Sequence, residues 1–180
     1  MTGVQTCALP FLTGTIPKAK YEAQALYVSL GNVIGKLSAS ELQEKGVLAQ
    51  CHVKIIQLKD DTEYTNYQRE LKYLTEDGKR LDTIAGLIEN ISNSGNTLIL
   101  VDRISAGKEL QRRLSDIFSL LKDAPEVAFV SGETNLTERK ENYDEVATAS
   151  NKIIIATYGV AAVGINIPRI FNLVLLEPGK

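Results

Sequence analysis

The segment Lys152–Pro168, KIIIATYGVAAVGINIP, constrains the fold more than any other part of the chain. Ile153, Ile154, Ile155 and Ala156 form a short β-branched and apolar run that stops at Thr157-Tyr158-Gly159. Small residues follow from Val160 to Val163, and then a Gly-Ile-Asn-Ile-Pro turn at 164–168. A buried strand, a polar strand end, a short helix and a tight glycine turn is the layout in which an open α/β sheet offers ligand-binding groups at its carboxyl edge.

The flanking sequence repeats the theme. Thr97–Val101 reads as a buried strand, Ala106–Leu121 as a helix, and Val127–Val130 as a strand. Asn135 or Thr134 caps a helix running to about Ala149, with Glu138 spaced to complete a capping box. Lys152–Ala156 and Asn172–Leu176 are further strands. Strands alternating with helices of this length imply an α/β fold, a parallel sheet joined by right-handed crossovers. Upstream, Phe11–Thr15 reads as a strand end running into a turn, and Lys18–Leu30 as a helix closed by Gly31. Ser40 is a candidate cap for a short helix ending at Gly46. Gln50–Leu58 alternates as a strand with Val53 and Ile55 on one face, and Glu63–Leu74 and Lys79–Ile91 are helices split at Asp77-Gly78.

With 180 residues the chain can bury one core, or one domain and part of another. A net charge of −2 argues against a wholly basic nucleic-acid binder, but a groove needs only local clustering of Lys and Arg. Thr2–Pro10, TGVQTCALP, looks like a translated sequencing-library adapter, so residues 1–10 are set aside with Cys7. Cys51 then remains alone, which fits a reducing cytoplasm and excludes a disulfide framework. Its neighbour His52 points the other way in a strand, so the two are poor candidates for one metal. No apolar run reaches the ~20 residues that span a bilayer.

Self-contained catalytic signatures are missing. There is no G-x-x-x-x-G-K-[ST] phosphate loop, no G-x-G-x-x-G, no H-E-x-x-H and no G-x-S-x-G. What remains is a series of polar strand ends. Leu12-Thr13-Gly14-Thr15 is, alone, an ordinary turn. Asp102-Arg103 ends the Thr97 strand, where Arg103 could meet a phosphate with Lys108 adding charge nearby. Ser131-Gly132-Glu133 ends the next strand; Gly132 permits close backbone approach, and the following helix amides can face a phosphate. Arg139 either supports that contact or pairs with Asp144 or Glu145. Thr157 and Tyr158 bring hydroxyl and backbone donors to the third strand end. The basic face of Lys108, Arg112 and Arg113 reads as solvated surface rather than a binding stripe.

These segments fall in one order, Thr-Gly-Thr, Asp-Arg, Ser-Gly-Glu and Ala-Thr…Gly-Ile-Asn-Ile-Pro, and each lies at a strand end. In that order they resemble motifs III, IV and V of superfamily-two helicases, with Ser131–Glu133 lying between the last two. The chain is similar to the second RecA-like motor domain, closest in character to phage UvsW-type DNA helicases. The family usually has Asp where this chain has Asn166, which keeps an acceptor and loses a charge. The resemblance implies residues 11–32 as the tail of a first motor domain and 33–180 as the second domain, incomplete at its C-terminus. It implies coupling through Thr13, Gly14 and Thr15, ATP contact through Gly164 and Asn166, and nucleic-acid contact through Arg103, Ser131, Gly132, Thr157 and Tyr158. ATP and Mg²⁺ would serve the full-length protein, with the Mg²⁺ ligands outside this chain. The partners would be nucleic acid, DNA above all, and the first motor domain of the same chain, in the cytoplasm of a host if phage-encoded. Alternatives are a non-catalytic α/β binding or scaffolding module and a translocase subunit of a restriction system.

Overall fold

A computed structural model of the chain describes residues 11–161 and 167–176. They divide into two compact units, one up to Lys59 and one from Asp60 onward.

In the first unit, α1 (Lys20–Leu30) ends where Gly31 takes φ 88°, a left-handed turn open to glycine, and its N–H bonds back to the Tyr27 carbonyl. The short helix α2 (Ala39–Glu44) is capped by Ser38, not by the predicted Ser40. The reason is Glu41, whose carboxylate accepts from both the Ser38 N–H and the Ser38 hydroxyl at 2.7 Å, completing a capping box. Those bonds, the backbone one first, hold the Glu41 carboxyl below its ordinary range. The strand predicted over Gln50–Leu58 is not formed, and neither is the strand end predicted at Phe11. A strand needs a neighbour for its N–H and C=O groups. Residues 11–59 contain no strand to pair with, and Val53 and Ile55 stand 79% and 91% exposed.

The second unit carries the sheet. Helices α3 (Tyr67–Glu76) and α4 (Gly78–Ser92) meet at Asp77, which ends the first and caps the second, its side chain accepting from the Arg80 N–H at 2.9 Å. Then come β1 (Thr97–Val101), α5 (Ile104–Phe118), β2 (Glu126–Val130), α6 (Leu136–Thr148), β3 (Lys152–Thr157), α7 (Tyr158–Ala161) and β4 (Asn172–Leu175). The strands are all parallel in the order β2-β3-β1-β4. This is the predicted α/β architecture, RecA-like in class.

Register assigns the faces. Leu98 lies beside Ile154, and both Val130 and Leu100 lie beside Ala156. Together with Val146 of α6 they form one buried cluster, covered by Tyr143, Tyr158, Val160 and Ala161. The opposite face presents Ile99, Val101, Ile153 and Ile155, where α5 lies with its buried stripe of Ala106, Leu110, Leu114 and Phe118. Each buried Val, Leu, Ile or Phe side chain contributes roughly 1.5–3 kcal/mol relative to staying exposed. Gly107 lets α5 come close, because a Cβ there would meet Phe129 at 2.3 Å and Val101 at 3.1 Å. Thus α5 leads from β1 towards β2 over one face, while α6 and α7 lead back over the other, as crossovers of one hand require.

At the amino edge, Asn96 is fully buried. Its amide nitrogen donates to the carbonyls of Val146, Ala149 and Arg169, and its oxygen accepts from the Lys152 N–H at 2.8 Å. The end of α6, the start of β3 and the turn before β4 are thereby tied to one side chain. The Lys152 ammonium, its side chain only 2% exposed, pairs with Glu145 and with Glu126 at 3.2 Å.

Candidate nucleic-acid interface

A parallel sheet gathers the ends of all its strands along one edge. Here the order across that edge is Ser131-Gly132 after β2, Thr157-Tyr158 at the end of β3, and Asp102-Arg103 after β1. Adjacent strands lie about 4.8 Å apart, so the three ends span roughly 10 Å. The chain leaves β3 over one face and β1 over the other. That divergence opens a crevice between the ends of β3 and β1, the position where open α/β sheets bind ligands. Thr157 and Val101 are register partners at its floor.

Arg103 is the N-cap residue of α5, so only Asp102 and Arg103 separate strand from helix. Its guanidinium lies 3.9 Å from the Glu76 carboxylate, and the two side chains are 32% and 38% exposed. A long, half-exposed pair of this kind is worth about 0–1 kcal/mol, and it leaves guanidinium N–H donors for a phosphate beside the carboxylate. Glu76 was not visible as a site residue in the sequence, because nothing in a helical glutamate marks its distant partner.

Ser131 is buried and its groups are engaged in the turn. Its N–H donates to the Thr134 hydroxyl at 2.9 Å, its hydroxyl accepts from the Glu133 N–H at 3.3 Å, and its carbonyl accepts from Thr134 N–H and from Arg139, both at 3.1 Å. Gly132 at the tip is exposed, and a Cβ there would meet nothing within 4 Å. Arg139 pairs with neither Asp144 nor Glu145; it donates to the carbonyls of Ser131 and Thr134 and so braces the tip. Asn135 caps α6 by accepting from the Thr137 N–H at 3.1 Å, so one helix amide is already used. No capping bond from Glu138 accompanies it.

Thr157 closes β3 half-buried, and Tyr158 opens α7 with its ring against the core cluster. Close by, the Tyr143 hydroxyl is buried with no partner among the described residues, and burial pushes that phenol above its ordinary range. Gly164 and Asn166 lie outside the described residues. Thr13, Gly14 and Thr15 belong to the first unit. There the Thr13 hydroxyl donates to the Thr15 carbonyl at 2.8 Å and accepts from the Thr15 N–H at 3.2 Å, a self-contained turn.

The basic face of α5 is committed elsewhere. Arg112 pairs with Glu109 and Asp116, and Arg113 pairs with Glu109 and Asp82 while donating to the Gly78 carbonyl. Hydrogen bonding from Arg112, above all, holds the Glu109 carboxyl down at about 2. Arg112, its side chain 57% exposed, stands on a solvated face as expected, whereas Arg113, 17% exposed, is mostly buried and ties α5 to α4. No helix among the described residues is long and apolar enough to cross a membrane.

Comparison with known proteins assigns the family. The model of the helicase conserved C-terminal domain matches residues 79–179, more than half of the chain. The ATP-dependent DNA helicase UvsW of Enterobacteria phage T4 is 27% identical over the whole of this chain, which spans 36% of that relative's length. The crystal structure of T4 UvsW superposes with a TM-score of 0.54 at 26% identity, covering 64% of this chain and 22% of that one. A four-stranded parallel sheet with polar strand ends, matched by the domain model from α4 through β4, belongs to the helicase conserved C-terminal domain family, as the second domain of a superfamily-two helicase.

Proposed function

We propose that this domain serves an ATP-dependent nucleic-acid helicase or translocase acting on DNA, and that its strand ends grip the backbone of one strand. The observation that carries the reading is the alignment of Gly132, Thr157, Tyr158 and Arg103 along one sheet edge, with Arg103 in a long ion pair to Glu76. Ser131 acts beside them by shaping the turn that exposes Gly132. The name of the T4 relative supports ATP and DNA as the substrates. Backbone donors and one guanidinium suit phosphates rather than base edges, which gives sequence-tolerant binding with strong salt dependence.

In this reading residues 11–32 are the tail of the first motor domain and 33–180 the second. Thr13, Gly14 and Thr15 couple the two, and Gly164 and Asn166 form part of one side of an interdomain ATP cleft, Asn166 accepting from a ribose hydroxyl. ATP supplies the free energy that closes and reopens the motor domains, with Mg²⁺ held by residues outside this chain. The residues described above then hold or release the strand at each cycle. The setting is the cytoplasm, a host's if the gene is a phage's. Lacking a phosphate loop, the 180-residue chain alone is expected not to hydrolyse ATP.

The test is Arg103→Ala in the full-length protein, with single-strand affinity measured across a salt series. Each phosphate contact contributes about 0.7 to the slope of log K against log salt for single strands. Loss of affinity with a slope flatter by about that amount supports the reading; an unchanged slope refutes it.

A further inference from the structure

Resting on the reading that this domain grips a nucleic-acid strand, we propose a second contact beyond the sheet edge: the open pocket beside α3 stacks one unpaired base of a single-stranded nucleic acid on the Tyr64–Tyr73 pair, while Arg69 and Lys72 take the adjoining phosphate. The pocket is lined by Tyr64, Arg69, Lys72, Tyr73, Glu76 and Asp77. The two rings stack with centroids 5.2 Å apart and planes 27° from parallel, and both remain partly exposed. A preassembled aromatic pair at a concave surface is a stacking platform, and stacking tolerates any base because every base has a π-face. Hydrogen bonding with the Asp60 carboxylate pushes the Tyr73 phenol up to about 12.

Four of the lining residues are ionic, two basic and two acidic, and the bases are the ones left open to a ligand. Asp77 caps α4 through the Arg80 N–H, and Glu76 lies against Arg103. Asp60, behind the rings, accepts from the Thr62 N–H and hydroxyl at 3.0 and 2.9 Å. Arg69 and Lys72 enter no ion pair among the described residues, unlike Arg103, Arg112, Arg113 and Lys152. They stand three residues apart on α3, on one face of the helix. Glu76 lines this pocket and also touches Arg103, so the pocket continues the edge where the backbone is gripped. A strand held at Arg103 can lay its next unpaired base on the tyrosines.

The bland rival is that the stack only pins the loop before α3, and the test separates the two. The chain contains no tryptophan, so Tyr64→Trp installs a single fluorescent reporter in the pocket. The 180-residue variant is titrated with a fluorescein-labelled oligodeoxythymidine and with an abasic oligonucleotide of equal length, reading tryptophan emission and dye anisotropy together. Base stacking predicts quenching by the oligodeoxythymidine and none by the abasic strand. Tyr73→Ala should weaken oligodeoxythymidine binding by roughly 5- to 150-fold and leave abasic binding unchanged, while Tyr73→Phe keeps the affinity. Binding by anisotropy with equal affinity for both strands and no quenching overturns the pocket and leaves the edge intact. Absence of binding to either strand at low salt overturns the edge reading and the pocket with it.

Discussion

Asn96 offers a direct measure of how much one buried polar side chain holds this domain together. Its four hydrogen bonds, at 2.8–3.2 Å, join β3, the end of α6 and the turn at Arg169. Asn96→Ala removes all four. A buried donor left without a partner costs about 1–3 kcal/mol, and an ordinary hydrogen bond contributes about 1 kcal/mol net. The Lys152 N–H is the stranded donor, and Val146 and Ala149 are carbonyls at a helix end, where no intrahelical partner exists. Two amide hydrogens are shared among three carbonyls, so their sum stays near two bonds. The total comes to about 3–5 kcal/mol. For a unit of this size that lowers the melting temperature by roughly 12–20 °C, at about 4 °C per kcal/mol.

Asn96→Asp separates electrostatics from packing. The shape is kept, but a carboxylate would face three carbonyl oxygens in a buried site, and both burial and those dipoles favour its protonated form. A carboxyl raised in the folded state contributes stability that is fully present below its unfolded value, about 3.9, and is lost as pH rises through the folded value. The deficit of Asn96→Asp against the unchanged protein should therefore be smallest near pH 4 and grow towards pH 7.5, while that of Asn96→Ala stays flat. Urea unfolding followed by far-ultraviolet circular dichroism reads both. An Asn96→Ala deficit below about 1 kcal/mol, or two variants moving in parallel with pH, would refute the reasoning.

Two further substitutions test packing. Gly107→Ala gains about 1 kcal/mol of helix propensity but drives a Cβ against Phe129 and Val101. Overpacking costs about 1–3 kcal/mol, so net destabilisation of up to about 2 kcal/mol is expected in urea unfolding, and a stabilised variant would show that Phe129 swings aside freely. Tyr143→Phe removes a buried hydroxyl that has no partner among the described residues, so stability should hold or rise by up to about 1 kcal/mol; a melting temperature lowered by several degrees would reveal a partner for that hydroxyl.

The second unit was legible because its strands are short, uninterrupted apolar runs whose ends are marked by polar residues and glycine. Thr97–Val101 and Lys152–Thr157 are buried almost throughout, so hydrophobicity alone located them. The first unit was not legible in the same way. Gln50–Leu58 has the alternation of a strand, but alternation expresses only a preference for a sheet face, and no strand stands among residues 11–59 to supply one. The candidate site divides similarly. Arg103 could be found because it follows a buried strand directly. Glu76 and Asn96 could not, since their roles depend on partners that sequence spacing does not bring together. Tyr64 and Tyr73 escaped for the same reason: they lie nine positions apart, one in a loop and one in a helix, and only the fold stacks them.

Parallel strands also separate the buried anchors from the proposed binding groups along their own length. The buried polar anchors Asn96 and Lys152 sit at the amino edge, while Arg103 and Thr157 sit at the carboxyl edge, five strand residues away. At about 3.3 Å per residue the two groups are roughly 16 Å apart. Sites separated by more than about 7–10 Å with no shared partner combine additively within about 0.5 kcal/mol. A protein carrying both Asn96→Ala and Arg103→Ala should thus show the stability loss of the first and the salt slope of the second, each unchanged by the other. Coupling between them would mean that the turn at Arg169, which Asn96 holds, also sets the geometry of the carboxyl edge.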